Sequence, residues 1–320
     1  MNSKIKLLCS ELLNDKQKLN KISYWLKVLN RPNGWHYDLD QIWILHELEV
    51  AGIKPGATIV DAGAGQGVMQ YLLASYGYNI ISLDFSPRTV PARSVGIFDI
   101  NGAGDEKIEY EHPYMKFISY GDDQTNTLLG RLKFSSLKKL PYILFRIYRA
   151  IISFFYYIFE RFSKKHNDYG KITYLRAPFH EIPLESNSVD AVISISAIEH
   201  ADIEVFDNNI SELLRVLRDG SPFLLTTSAT KEKENIYLKK CEGWCFSLDS
   251  LKKYFDGADV EFDTENCESS LLKSNILINR LDPYYYHDRE SFCFKKKLSS
   301  LPYLPVAIKV IKGIGLISQK

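Results

Sequence analysis

The chain of 320 residues has little of what organises stapled, metal-bound or membrane-spanning proteins. Its five cysteines (Cys9, Cys241, Cys245, Cys267, Cys293) include no C-x-x-C pair, and Cys241 and Cys245 stand as C-x-x-x-C with no second pair or His cluster. A zinc site or a disulfide framework is therefore not expected, and a reducing cytosol fits. His46, His112, His166 and His180 have no metal-ligand spacing, so no metal is expected. The N-terminal MNSKIKLLCSELLNDKQ is too polar for a signal peptide. Internal repeats are absent. The most apolar stretch, Pro141 to Glu160, holds no uncharged run longer than the ten residues Ala150 to Phe159, short of the roughly 20 that cross a bilayer. Acids are nearly missing from two regions. Residues 131–165 hold nine Lys/Arg against Glu160 alone, and residues 295–320 hold six lysines and no acid. Those +8 and +6 segments leave the rest of the chain at −13 within a total of +1, an acidic body with two basic, apolar pieces.

What is present reads as globular: 45% hydrophobic and 25% charged residues, enough chain for one enlarged domain or two. Residues 57–87 carry most of the functional information. The apolar Ile59-Val60 ends in Asp61; Gly63, Gly65 and Gly67 follow as G-x-G-x-G; an apolar-periodic segment leads to Ile80–Leu83, which ends in Asp84. This is strand, glycine turn, helix, strand, acid. Glycines permit φ > 0 and let backbone approach a ligand. An acid closing the second strand suits ribose hydroxyls. The dinucleotide fingerprint G-x-G-x-x-G is not met, because position 68 is Val. A carboxylate at Asp61 would repel a pyrophosphate but suits an α-ammonium group. The ligand implied is a nucleoside with an amino-acid tail.

This series resembles motif I and the following acid of the class I S-adenosylmethionine (SAM)-dependent methyltransferases. The stretch 174–200 and the piece LRVLRDGSPFLLTT resemble that family's adenine loop, fourth strand and following helix, turn and strand. The resemblance covers about half of the chain and implies an α/β, Rossmann-like seven-stranded sheet in the order 3-2-1-4-5-7-6. It implies SAM as cofactor, held by Asp61, Gly63, Gly65, Gly67, Asp84 and Phe85, with Ser194 at the end of the fourth strand. Where the family usually has an adenine-binding Asp, this chain has Pro178, leaving Ala177 and Phe179 to hold adenine through backbone or apolar contact.

The expected organisation is an N-terminal helical cap at 1–56, a SAM-binding core at 57–95 and 169–296, an insertion at 96–168 between the second and third strands, and a basic apolar tail at 297–320. Strands are expected near 57–62, 79–84, 171–175, 188–194, 223–227, 258–263 and 291–296, and helices at 203–217 and 248–256. His200 is the candidate base for an acceptor hydroxyl, with Glu199 orienting it; a scaffold pair is the other reading. Trp35, His36 and Tyr37 are candidates for a lid over the cleft, or a turn capped by Asp38 or Asp40. Tyr284–His287 reads as cleft wall or packed aromatics.

Between Pro141 and Glu160 the polar positions Arg146, Arg149, Ser153 and Glu160 share a stripe of roughly 60°. That helix and the tail 301–317 fit an anionic membrane surface, a helical cap or a dimer contact. The expected activity is O-methylation of a saccharide or lipid-linked small molecule, supported by these segments and by a likeness, mainly around GWHYDLDQIWIL, to methyltransferases encoded with bacterial surface-polysaccharide enzymes. Methylation of a quinone or isoprenoid lipid, and a non-catalytic SAM-binding or scaffold role, are the alternatives. Nucleic acid is not an expected partner. The expected location is cytoplasmic, peripheral at the inner face of the membrane.

Overall fold

In the computed structural model, residues 2–104, 107–111, 140–239, 242–255, 257–278 and 301–313 are described, the side chains of 2, 140–147 and 164–165 excepted. Thirteen strands are described: β1 Asn2–Leu7, β2 Thr58–Ala62, β3 Asn79–Asp84, β4 Thr89–Val90, β5 Ile100–Gly102, β6 Glu109–Tyr110, β7 Ile172–Arg176, β8 Ala191–Ile195, β9 Pro222–Ala229, β10 Ile236–Leu238, β11 Gly243–Cys245, β12 Asp259–Glu261 and β13 Leu304–Ile311. The helices are α1 Lys16–Val28, α2 Tyr37–Val50, α3 Met69–Ala74, α4 Leu140–Arg161, α5 Phe206–Val216, α6 Leu248–Tyr254 and α7 Thr264–Lys273, joined by short 3₁₀ turns.

Nine strands form one sheet in the order β12-β1-β13-β9-β8-β2-β3-β7-β5. The stretch β7-β3-β2-β8-β9-β13 is the expected 3-2-1-4-5-7 series, parallel except for β13, which runs antiparallel to β9. The fold is thus of the class I methyltransferase, Rossmann-like type, with two strands more than the expected seven. One is β5, which extends the edge beyond β7 in parallel. The other is β1, which lies between β13 and β12.

The departure from expectation at the N-terminal end has a period-two cause. In Ser3-Lys4-Ile5-Lys6-Leu7, Ile5 and Leu7 are buried while the lysines are half-exposed, the alternation of a strand rather than a helix. The expected helical cap at 1–56 therefore opens, in its described residues, with a strand, and α1 and α2 follow. At the other end, β13 lies in the middle of the sheet, with Val306, Ala307, Ile308 and Val310 wholly buried. The described part of the supposed tail is a core strand. Its lysines are engaged by the protein: Lys309 pairs with Glu47 at 2.8 Å. Lys312, 5% exposed, donates to Asn187 Oδ1 and to the carbonyls of Arg215 and Leu217 at the end of α5, where the helix dipole favours a cation. The expected strand at 291–296 and the Tyr284–His287 group lie outside the described residues.

The cysteine reading is also corrected. Cys9 and Cys267 form a disulfide across 258 residues, Cα to Cα 5.0 Å, where α7 packs beside the 3₁₀ turn Ser10–Asn14. Local Cys spacing cannot reveal a pair brought together by the tertiary fold. Cys245 is buried; Cys241 and Cys293 lie outside the described residues. No helix among the described residues is long and apolar enough to cross a membrane.

Candidate active site

Strand β2 ends in Asp61-Ala62 and turns at Gly63 (φ +73°) and Gly65 (φ +47°) into α3. Both glycines occupy the left-handed region that L side chains avoid. Gly63 also has no room for a side chain: a Cβ there would lie 2.3 Å from the Ala197 methyl and 3.0 Å from the Phe179 ring. Gly67 has no positive φ, but its Cβ would press on the Ala64 carbonyl at 3.1 Å. The turn approaches β3, where Asp84 Oδ2 accepts from Gly65 N and Oδ1 from Ser86 N, each at 2.9 Å. The carboxylate is thereby fixed and 8% exposed. Of its roughly four lone-pair sites two remain, enough for a vicinal diol.

Asp61 is buried, and no hydrogen bond reaches its carboxylate among the described residues. Burial pushes its carboxyl up to about 7; nearby Arg88 pulls it down and Asp84 pushes it up. Arg88 itself grips Ser82 through its hydroxyl and carbonyl, both at 2.6 Å, and stacks over Tyr174 at 4.6 Å. Ala177 N donates to the Asp84 carbonyl at 3.1 Å, and the Phe179 ring borders the glycine turn. Both candidate adenine contacts therefore adjoin the acid and the turn. Phe85 is 70% exposed, its ring on the surface.

A second group gathers at the C-terminal ends of β8 and β9, beneath the first turn of α2. His36 is 1% exposed, with Nδ1 2.8 Å from Asp40 Oδ2. Trp35, Tyr37 and Tyr303 ring it, edge to face at centroid distances of 4.9, 5.2 and 5.6 Å. Trp35 Nε1 donates to the Tyr303 hydroxyl at 2.8 Å. Asp38 and Asp40 are wholly buried in the first turn of α2 rather than capping it. Burial raises the Asp40 carboxyl above its ordinary range, with the charge of His36 the chief opposing influence. Glu199 is buried too and raised, first by burial, with the charge of His200 the chief opposing influence. Its Oε2 accepts from Thr227 Oγ1 at 3.0 Å.

His200 is exposed, and its Nδ1 faces the Glu242 carbonyl at 2.9 Å. Glu199 and His200 are thus neighbours in sequence whose side chains take different partners. Ser196 sits at φ +43°, a strained conformation for a residue with a Cβ. The hydroxyls of Ser194 and Ser196 and the Asp40 Oδ1 atom are buried without a hydrogen-bond partner. Such atoms are uncommon in folded proteins, and here they share one end of the sheet, where open α/β folds take ligands. Asp40, Thr226, Thr227 and Tyr303 were not singled out as site residues in the sequence. No local spacing ties them to His36 or Ser194. Among the described residues, no group of three or more His, Cys, Asp or Glu could hold a metal ion.

Residues 152–225 match a family model described as a methyltransferase domain. That match covers β7, β8, α5 and the first half of β9; the glycine turn lies outside it. No curated protein matches the chain. Solved structures resemble the chain at low identity. Phosphoethanolamine N-methyltransferase 2 of Haemonchus contortus, bound to SAM, is 15% identical, with 95% of this chain and 60% of that one covered and a TM-score of 0.45. A candidate sarcosine dimethylglycine methyltransferase of Galdieria sulphuraria is 16% identical over 67% of this chain and 57% of its own, TM-score 0.33. The [4+2]-cyclase SpnF is 13% identical over 98% of this chain and 100% of its own, TM-score 0.46. The chain thus spans less than two thirds of the length of the first two. No residue role follows from these likenesses. Sheet order and glycine turn are of the class I methyltransferase type, residues 152–225 match a methyltransferase domain, and the residues around the turn fit SAM as cofactor.

Proposed function

We propose that the protein O-methylates a small-molecule acceptor, a saccharide or a lipid-linked saccharide, using SAM. The observation that carries the acceptor side is the cluster of buried, unpartnered hydroxyl and carboxyl atoms beside the His36–Asp40 pair. When bound, SAM supplies an electrophilic methyl group on a sulfonium centre. Asp84 would hold the ribose hydroxyls, Asp61 the α-ammonium, and Ala177 with Phe179 the adenine.

Methyl transfer to a hydroxyl needs the oxygen aligned and its proton removed. In this reading Asp40 holds the Nδ1–H of His36, leaving Nε2 as the basic atom, and balances the imidazolium that forms. The aromatic ring of Trp35, Tyr37 and Tyr303 keeps water from that base. Ser194 and Ser196 offer hydroxyls that orient a polyhydroxylated acceptor, which in turn satisfies them. His200, on the rim, is the second candidate base, because the carbonyl at its Nδ1 also leaves Nε2 free.

The test is product analysis. SAM is added to extracts of cells lacking the protein, with and without the purified enzyme, and products gaining one methyl are followed by mass spectrometry. The proposal expects a methyl ether on a sugar. An N-methyl or quinone product overturns the acceptor class; SAM binding with no product in any extract supports a non-catalytic role.

A further inference from the structure

Helix α4 is inside out. Its only acid, Glu160, is 4% exposed and accepts hydrogen bonds from the Tyr24 and Tyr169 hydroxyls. Ser153, equally buried, donates to the Lys27 carbonyl at 2.5 Å and accepts from Arg93. These polar side chains dock the helix onto α1. Its outer face carries Tyr148, Ile151, Phe155 and Phe159, with Phe162 just beyond the end, at 50–79% exposure. At about 100° per residue these five fall within an arc of roughly 80°. Phe154, 50% exposed, borders it. An ordinary surface helix does the reverse, burying its apolar stripe. A contiguous aromatic stripe left outward marks an interaction surface.

We infer that this face seats the protein on an anionic lipid surface, with α4 lying in the plane of the interface. Charge complementarity selects this occupant. The segment 131–165 has a net charge of +8, and its one acid is turned inward. Arg149 and Arg161 are exposed along the same helix. A second copy of the chain packed face to face would set that positive charge against itself. The face is a convex stripe on one helix of 22 residues, shaped to lie at the acyl–headgroup boundary. Arg149 and Arg161 flank it where headgroup phosphates would be. The inference is independent of the acceptor chemistry, and SAM binding reads the cofactor site separately.

The experiment is flotation of the full chain with vesicles of phosphatidylcholine containing about 30% phosphatidylglycerol, and with phosphatidylcholine alone. The protein is expected to float with the anionic vesicles and at least about tenfold less with neutral ones. Raised salt should release only part of it, because apolar burial is not screened. Phe155→Ser with Phe159→Ser should reduce partitioning at least about tenfold, with melting temperature and SAM binding unchanged. Should that double variant fold poorly, Phe162→Glu, past the helix end, gives the same reading. Protein remaining at the bottom with anionic vesicles overturns the inference. So does equal flotation of the variants, or a dimer in solution that the same substitutions dissolve.

Discussion

On the cofactor side, Asp84 has both carboxylate oxygens bonded to backbone N–H groups. Across the sheet, Ser194 and Ser196 keep buried hydroxyls with no partner. The first arrangement is complete before any ligand arrives. Its donors are main-chain atoms of the glycine turn and of Ser86 just past the acid, so the site is preorganised and can be written in a short stretch of sequence. The second is completed only by an acceptor. A buried polar atom without a partner costs about 1–3 kcal/mol, and tolerating several of them at one end of a sheet is explained by a ligand that satisfies them.

The largest expected effect falls on the acceptor side. His36→Ala should lower kcat by about 10²–10⁴ with SAM affinity unchanged in calorimetry, whereas His200→Ala should cost about tenfold or less. The reverse ranking would move proton removal to the rim and leave His36 a packed lid residue. Asp84→Ala strikes the completed side. Loss of charge-assisted bonds worth about 1.5–3 kcal/mol each should weaken SAM binding roughly ten- to hundredfold per bond; unchanged affinity in a folded variant would remove the ribose role.

Asp61 gives a pH signature. Its folded pKa of about 7 lies above the ordinary 3.8 because burial disfavours the charge. In the ligand-free protein its contribution to stability is therefore full below about 4 and declines as pH rises towards about 7. An ammonium ligand prefers the ionised form. SAM affinity should then rise about tenfold per pH unit up to about 7 and level off above it, and Asp61→Asn should flatten the profile. A flat profile in the parent protein would separate Asp61 from the ammonium. The smallest effect sharpens the contrast most directly. Ser194→Ala removes an unpaired hydroxyl, so thermal stability should hold or rise slightly while KM for the acceptor increases about three- to tenfold. A clear loss of stability would mean that the hydroxyl has a partner in solution.

How legible each side was follows from its range along the chain. Asp61, the glycines and Asp84 lie within 24 residues, and the requirement for φ > 0 at Gly63 and Gly65 makes the turn visible as residue type. The acceptor side draws on residues near 36–40, 194–199, 226–227 and 303, which only the order of strands brings together. Glu199 and His200 looked like a pair because they are adjacent in sequence. At the end of β8 their side chains diverge, one inward to Thr227 and one outward to Glu242.

The two basic, apolar segments mark the same boundary. Sequence alone determined that 141–160 is helical with its polar residues on one stripe, and that 301–317 is apolar and lysine-bearing. Which way each faces was decided elsewhere. The Tyr24, Tyr169 and Arg93 side chains hold Ser153 and Glu160 of α4 inward, while β9 and β1 offer open backbone on both sides of β13. Glu47 and the carbonyls at the end of α5 then neutralise its lysines. Periodicity is a property of the segment itself; burial depends on the partners that meet it, and those include residues as distant as Tyr24 for α4 and Glu47 for the lysines of β13.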